Sequence, residues 1–429
     1  MAQRLGILMG GGPAPGVNSV IAAATIRARL EGVEVIGIHD GFEGLIAGTP
    51  RTERLDITRV SRIHFRGGCV LGTSRANPTR TAEDLQRTID SLNALGVDML
   101  LTIGGDDTAT SACAVGEAAG DALRIAHVPK TIDNDLDLPP DVDTFGYETA
   151  RSVGVQIVQN LMVDARTTGR WYLVVTMGRK AGHLALGIGK AAGSTLTIIP
   201  EEFGDGLLTL DAVADTIVGS IIKRRADGRT DGVAIIAEGV CLAIDPASME
   251  HLGRVEHDAH GHVRMSELDL GGVLRDEVRR RLDELDCETT VVSKNLGYEL
   301  RSADPVPADM EYTRDLGFCG AKYLLQGGSG AVITMQHGHF TPVLLSSLMN
   351  APGDHVRVRL VDISSSRYAI ARRYMIRIRR DDLDDPATLC LFAACTNLKP
   401  EAFAKRFSPW VEFEPAPIRC VEVESPGDG

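Results

Sequence analysis

No two of the eight cysteines, at 69, 113, 241, 287, 319, 390, 395 and 420, are spaced as C-x-x-C. That removes the commonest zinc and redox motifs. Most of the thiols lie in apolar segments such as "TLCLFAAC", so they read as reduced, buried side chains of a cytoplasmic protein. No apolar run is long enough to span a membrane. The amino terminus, "MAQRLGILMGGGPAPG", has one basic residue and a short apolar run broken at once by glycine and proline. It is too short for a signal segment and reads as a first strand. Positive charge is also in deficit: 45 Lys and Arg stand against 58 Asp and Glu, a net charge of −13. This argues against non-specific nucleic-acid or anionic-membrane binding, while a local basic site can still hold a small anion. There is no simple short-period repeat.

What is present is an ordinary globular composition over 429 residues, 44% apolar and 24% charged, enough for two or three domains. Short apolar runs alternate with helical patterns. Strands are expected at Arg4–Met9, Val33–His39, Val97–Ile103, Arg124–Val128, Trp171–Met177, Thr195–Ile199, Gly232–Ala237, Val291–Val292 and Ala331–Met335. Helices are expected at Val17–Leu30, from Thr108, and over Tyr147 to about Asp164. Further helices are expected at Ala181–Ala192, Leu208–Arg225, Glu267–Glu284 and Pro305–Leu325. This βαβα alternation implies an α/β fold of mainly parallel sheets with helices on both faces, and ligands beyond the carboxyl ends of the strands. The segment "MEHLGRVEHDAHGHVRMSE", with His251, His257, His260 and His262, interrupts the alternation. It reads as a solvated hairpin insertion rather than a metal site, because no i, i+4 ligand pair is evident. The acidic, Pro/Gly-rich tail is expected to be disordered.

The polar motifs lie where strands end. "GGGPAPGVN" (Gly10 to Asn18) follows the first strand, and glycines there let backbone N–H groups approach a phosphate. It is neither the dinucleotide fingerprint, since Pro15 stands where the last glycine belongs, nor a P-loop. "IGGDD" places Asp106 and Asp107 at the start of a helix. One carboxylate is explained by the helix dipole; two adjacent ones repel unless a cation is near, and Asp106 suits magnesium. "VPKTIDNDLDLP" groups Lys130, Thr131, Asp133, Asn134 and Asp135. A cation beside carboxylates is what phosphoryl transfer requires, although such a segment alone reads equally as a solvated acidic turn. "VVTMGRKAGHLAL" supplies Arg179, a bidentate phosphate clamp, with His183 on the helix surface. "AEGV" ends a strand at Glu238, and "NLGYELRSADP" sets Tyr298 and Arg301 three residues apart. Each signal is weak by itself; the set converges on one chemistry. No G-x-S-x-G elbow or usefully spaced Cys/His dyad competes.

"GGGPAPGVN", "GTSR" (Gly72–Arg75), "IGGDDT", "PKTIDND", "MGR" and "GYELR", in this order from about residue 4 to about 340, resemble the phosphofructokinase family. The resemblance implies two Rossmann-like domains with the active site in the cleft between them. It implies a larger donor domain over 1–143 plus about 303–360, and a smaller sugar-phosphate domain over about 144–302 plus 361–429. It implies phosphorylation of the 1-hydroxyl of fructose 6-phosphate with Mg2+, in glycolysis or gluconeogenesis, by a homodimer or homotetramer. By motif, Asp133 is the general base, with Thr131 and Ile132 beside the substrate. Asp106 is the magnesium carboxylate. Gly11, Gly12 and Arg75 lie on the donor side. Met177, Gly178 and Arg179 line the sugar and the transferring phosphate, Glu238 holds sugar hydroxyls, and Tyr298, Glu299, Leu300 and Arg301 hold the 6-phosphate end.

Two positions bear on the phosphoryl donor. ATP-using relatives read G-G-D-G and P-G-T-I-D, whereas this chain has Asp107 and Lys130 at the variable places. That resembles the pyrophosphate-dependent branch. Asp107 adds negative charge where a nucleotide's α-phosphate would pass, and Lys130 adds a cation beside the two remaining phosphates. The chain departs from relatives at Pro13, where an aspartate is usual, at Tyr298, where histidine is usual, and at Val292, where many relatives carry an arginine used by the adjoining subunit. Lys294 is the nearby basic residue. An ATP-dependent 6-phosphofructokinase, or a pyrophosphate-dependent kinase of another sugar phosphate such as sedoheptulose 7-phosphate, is the alternative. A lipid or NAD kinase gives no reason for "PKTIDND" and "GYELR". A non-catalytic sugar-phosphate sensor has no need of Asp133, and the failed glycine fingerprint disfavours a nicotinamide dehydrogenase.

Overall fold

A computed structural model describes residues 3–204, 208–245, 269–348 and 357–411. The His-rich segment and the acidic tail lie outside the described residues. The chain forms two compact units, 1–154 with 296–359 and 155–295 with 360–429. The expected boundaries were 143/144, 302/303 and 360/361. The contact-based division therefore carries "GYELR" with the first unit.

In chain order the first unit opens with β1 (Arg4–Met9), α1 (Val17–Leu30), β2 (Glu34–Ile38), α2 (Glu43–Ile46), β3 (Thr52–Leu55), α3 (Ile57–Val60) and α4 (Ala82–Ala94). It continues through β4 (Met99–Gly104), α5 (Asp106–Ala119), β5 (Arg124–Pro129) and the start of α6 (Tyr147–Thr168). The second unit contains β6 (Arg170–Thr176), α7 (His183–Ala192), β7 (Leu196–Ile198), α8 (Leu210–Ala226), β8 (Gly232–Ala237), α9 (Gly239–Ala243), α10 (Leu270–Glu284) and β9 (Thr290–Leu296). The chain then returns to the first unit for α11 (Tyr298–Arg301), α12 (Pro307–Leu325), β10 (Ala331–Val332), β11 (Met335–Gln336), β12 (His339–Phe340) and β13 (Val343–Leu344). Among the described residues the second unit closes with four α-helices: α13 (Ser366–Tyr374), α14 (Arg380–Asp384), α15 (Pro386–Ala394) and α16 (Pro400–Phe407).

The first unit is built on a seven-stranded sheet, β13-β10-β5-β4-β1-β2-β3, parallel except at its two edge strands. Every residue of β4 is buried, as befits a parallel strand covered on both faces. Alternation divides its side chains. Leu100 joins Leu8, Ile38, Leu92, Ala112 and Val115 in one core. Leu101 points to the opposite face, under Gly320 of α12. Burying one such leucine contributes roughly 2 kcal/mol, so the two faces together anchor the strand from whose end the site projects. The expected run Ala331–Met335 is broken: only Ala331 and Val332 join the sheet, and Met335 begins a separate hairpin with β12.

The second unit has a four-stranded sheet, β7-β8-β6-β9, with β7, β8 and β6 parallel. Helix α16 is tied in by charge. Asp215 of α8 takes Arg281 at 2.8 Å, Arg406 at 3.2 Å and the Trp410 indole N–H at 3.3 Å. None of the described thiols is in a disulfide, but the expectation that they are buried holds only for Cys241, Cys287 and Cys319; Cys69, Cys113 and Cys395 are half-buried and Cys390 is exposed. Helix α15 is apolar on average but turns Cys390 and Leu391 to the surface. Apolar neighbours in sequence are therefore a poor guide to a terminal helix that covers a core only on one side.

Candidate active site

In the first unit, the carboxyl ends of β1, β4 and β5 lie side by side, and the three loops leaving them are bonded to one another. The glycine loop takes Gly11 at φ +78°, a left-handed conformation that glycine adopts without a Cβ clash. Its backbone runs along "GTSR": the Gly11 N–H donates to Ser74 O at 2.9 Å, and the Thr73 hydroxyl donates to Gly11 O at 2.6 Å. Asn18 holds the approach to that segment, donating to Arg66 O and accepting from the Val70 N–H. Arg75 itself is exposed.

The Lys130 ammonium donates to Gly12 O at 2.6 Å although Lys130 is only 6% exposed. Arg301 reaches the same residue: a Cβ on Gly12 would lie 2.7 Å from its Nη1. The guanidinium also lies 4.6 Å from the centre of the Tyr298 ring, a cation–π contact. The "GYELR" residues, expected at the sugar-phosphate end, thus bring Arg301 against the glycine loop. Tyr298 is 75% exposed, Glu299 is exposed and its carboxylate accepts from the Gly297 N–H, and Leu300 is wholly buried. The Leu300 and Ile132 side chains belong to the core, and the Leu300 N–H donates to Gly297 O at 2.9 Å.

Asp106 and Asp107 occupy the first turn of α5, where negative charge suits the helix dipole. Asp106 is half-buried and Asp107 exposed, so the two do not share one environment.

The stretch after β5 is the least typical. Residues 130–146 form a loop before α6, yet Lys130, Thr131, Asp133, Asn134 and Asp135 are all buried. The solvated-turn reading is excluded. Thr131 accepts the Asp133 N–H at 3.0 Å. Asn134 sits at φ +56°, accepts the Thr144 N–H and donates to Asp143. From far along the chain, Arg359 donates to Asn134 O at 3.2 Å, to Val142 O at 2.8 Å and to Asn134 Oδ1. Each backbone group that would otherwise be stranded in this buried loop needs such a partner. Burial lowers the Arg359 pKa, against Asp143, Asp137 and Asp135, which raise it.

In the second unit the loop after β6 carries Met177, Gly178 and Arg179. Arg179 is exposed, at φ +51°. Its N–H donates to Glu238 Oε1 at 3.2 Å, and Gly239 permits the approach, since a Cβ there would lie 2.7 Å from Arg179 O. Glu238, expected to hold sugar hydroxyls, is thus also a support for the Arg179 backbone. Burial raises its pKa, partly offset by the Arg179 and Gly178 N–H groups and by the Arg179 charge. Glu201 supports the same loop from the end of β7, accepting the Gly182 N–H at 2.8 Å and the Val361 N–H at 2.9 Å. His183 begins α7 and is half-buried.

Sequence reading missed Arg359, Glu201 and the buried His127. Only proximity in the fold reveals them; a lone arginine or glutamate far from a motif carries no signal.

The phosphofructokinase family profile matches residues 4–324. The chain belongs to the phosphofructokinase family. Among curated relatives of that family, a pyrophosphate–fructose 6-phosphate 1-phosphotransferase of Thermotoga maritima is 48% identical over 413 residues, covering 95% of this chain and 98% of that one. An enzyme of the same name from Naegleria fowleri is 46% identical over 418 residues, covering 95% and 96%. The solved structure of a pyrophosphate-dependent phosphofructokinase from Nitrosospira multiformis superposes with TM-score 0.66 at 16% identity, over 99% of this chain and 95% of that one. At that identity the likeness speaks to the fold. No helix among the described residues is long and apolar enough to cross a membrane.

Proposed function

We propose that this chain transfers a phosphoryl group reversibly from pyrophosphate to the 1-hydroxyl of fructose 6-phosphate, giving fructose 1,6-bisphosphate and phosphate. The observation that carries the donor is the buried Lys130 ammonium on the carbonyl of Gly12. A cation fixed at the glycine loop suits a compact, highly charged donor. Asp107, exposed on the neighbouring turn, opposes the longer phosphate chain of a nucleotide. The two nearly full-length relatives at 46–48% identity carry the pyrophosphate name, which supports this donor over ATP.

In the mechanism, Lys130 and the Gly12 backbone bind pyrophosphate, with Gly11, whose N–H is held by Ser74 O, allowing its close approach and Arg75 on the donor side. Asp133 takes the proton of the 1-hydroxyl as that oxygen attacks the near phosphorus. Thr131, bonded to the Asp133 N–H, helps hold the carboxylate in place. Arg179 stabilises charge on the phosphoryl group, and Met177, Gly178 and Glu238 orient the sugar. Arg301 and Tyr298 hold its 6-phosphate end. One P–O bond is exchanged for another of similar type, hence the reversibility.

Among the described residues no group of three His, Cys, Asp or Glu forms a metal cage. Asp106 alone fits Mg2+ that arrives with the donor, since this ion keeps its waters and is held by one or two carboxylates plus substrate phosphates. When bound there, it neutralises pyrophosphate oxygens. We also assign the donor to the first unit and the sugar to the second together with "GYELR" of the first, in a cytoplasmic homodimer or homotetramer.

Coupled assays of the purified protein with pyrophosphate or ATP, and with fructose 6-phosphate or sedoheptulose 7-phosphate, test the proposal. Turnover with pyrophosphate and fructose 6-phosphate at least tenfold above every other pair is expected. A preference for ATP, or no turnover with any pair, contradicts it.

A further inference from the structure

His127 lies in β5, three residues before Lys130, and is 1% exposed. Its ring joins the two donor motifs. Nε2 lies 3.1 Å from Gly104 O, the last residue of β4 before "GDD", and Nδ1 lies 2.9 Å from the Thr102 hydroxyl. Gly104 O is also the acceptor of the Lys130 N–H, at 2.8 Å. A carbonyl only accepts, so Nε2 carries the ring proton and Nδ1 receives the Thr102 proton. Burial pushes the imidazole pKa down to about 3, with the Lys130 charge acting in the same direction. A neutral, fixed tautomer therefore sits beneath one carbonyl at which the turn of Asp106 and Asp107 meets the turn of Lys130.

We infer that His127 is a positioning residue for the phosphoryl donor: through Gly104 O it sets the spacing of the Asp106–Asp107 turn against Lys130. The inference rests on the proposed pyrophosphate reaction. A strand needs only an apolar residue at this place; a ring with a donor on the strand-end carbonyl and an acceptor for the hydroxyl of the neighbouring strand locks the two ends in register.

The test compares His127→Leu, which keeps bulk and loses both bonds, with His127→Gln, whose amide can donate to Gly104 O. His127→Leu is expected to raise the pyrophosphate KM about tenfold, the worth of one buried hydrogen bond, with the fructose 6-phosphate KM changed less than about twofold. His127→Gln should recover most of the loss. A pyrophosphate KM unchanged in His127→Leu, or both KM values raised alike with no recovery in His127→Gln, overturns the inference. Should His127→Leu not fold, 15N spectra of histidine-labelled wild type, assigned with His127→Gln, carry the test. A neutral Nε2–H ring at pH 6 whose signals shift in Thr102→Val and on adding pyrophosphate supports the clamp. The Nδ1–H tautomer, an imidazolium, or no response to pyrophosphate refutes it. The tautomer and the Thr102→Val shift are read without turnover, so failure of the proposed reaction is distinguishable from failure of the clamp.

Discussion

Two loops leave the carboxyl ends of parallel strands, one in each unit, and they are built differently. The loop after β5 buries Lys130, Asp133 and Asp135 and ties its backbone down through Thr144, Asn134 and Arg359. The loop after β6 exposes Arg179 and ties its backbone through Glu238 and Glu201. A base must be at a defined distance and angle from the proton it removes, so burial and many anchors suit Asp133 in its proposed role. In the proposed reaction Arg179 must reach the phosphoryl group, and an exposed residue on a backbone held by Glu238 suits that task.

Removing the fixed partner should do the most. Asp133→Ser should lower kcat by about 10³–10⁴ with little change in either KM, measured by steady-state kinetics. Arg179→Lys keeps the charge and the exposure but loses the planar fork, and should lower kcat about 10²-fold. If the two variants lost activity equally through KM, the contrast between a buried base and an exposed clamp would fail. Arg359→Leu should loosen the buried loop without touching ligand, lowering stability by about 2–4 kcal/mol in denaturant titration and kcat about tenfold. The corresponding loss of the Glu201 anchor should cost less, because the Arg179 loop has less to keep buried.

The smallest effect is on pH dependence. The folded His127 pKa of about 3 lies below its unfolded value, so the unfolded chain takes the proton first as pH falls. Stability from this group is full above about pH 6.5 and declines towards pH 3, by about 2 kcal/mol between pH 6.5 and 5. His127→Gln should lose stability less steeply over that range, seen as a smaller drop in Tm.

Much of this was legible from residue order. β1, α1 and β8 fall at the expected Arg4–Met9, Val17–Leu30 and Gly232–Ala237, because buried parallel strands and the helix between them have strong apolar patterns. The edge strand β3 and the four terminal helices were not anticipated: β3, α13, α14 and α16 are polar on average, and α15, though apolar, shows no helical period. The motif residues around Lys130 were visible as a cluster, but their burial was not. It depends on Arg359, more than two hundred positions away, and polarity along the chain cannot report a partner that distant. Likewise "IAHVP" reads as a strand, and nothing in it says that the histidine bonds to Gly104.

The central claim is that Asp107 and Lys130 together choose the donor. It is tested most directly by kcat/KM for pyrophosphate and for ATP, measured side by side in wild type and in Asp107→Gly, Lys130→Gly. Removing a like-charge clash and a desolvated cation shifts binding by a few kcal/mol, so the ratio of pyrophosphate to ATP use should fall by about 10³-fold or more, with ATP turnover rising in absolute terms. A double variant that loses pyrophosphate use without gaining ATP use, or that keeps the wild-type ratio, would contradict the account.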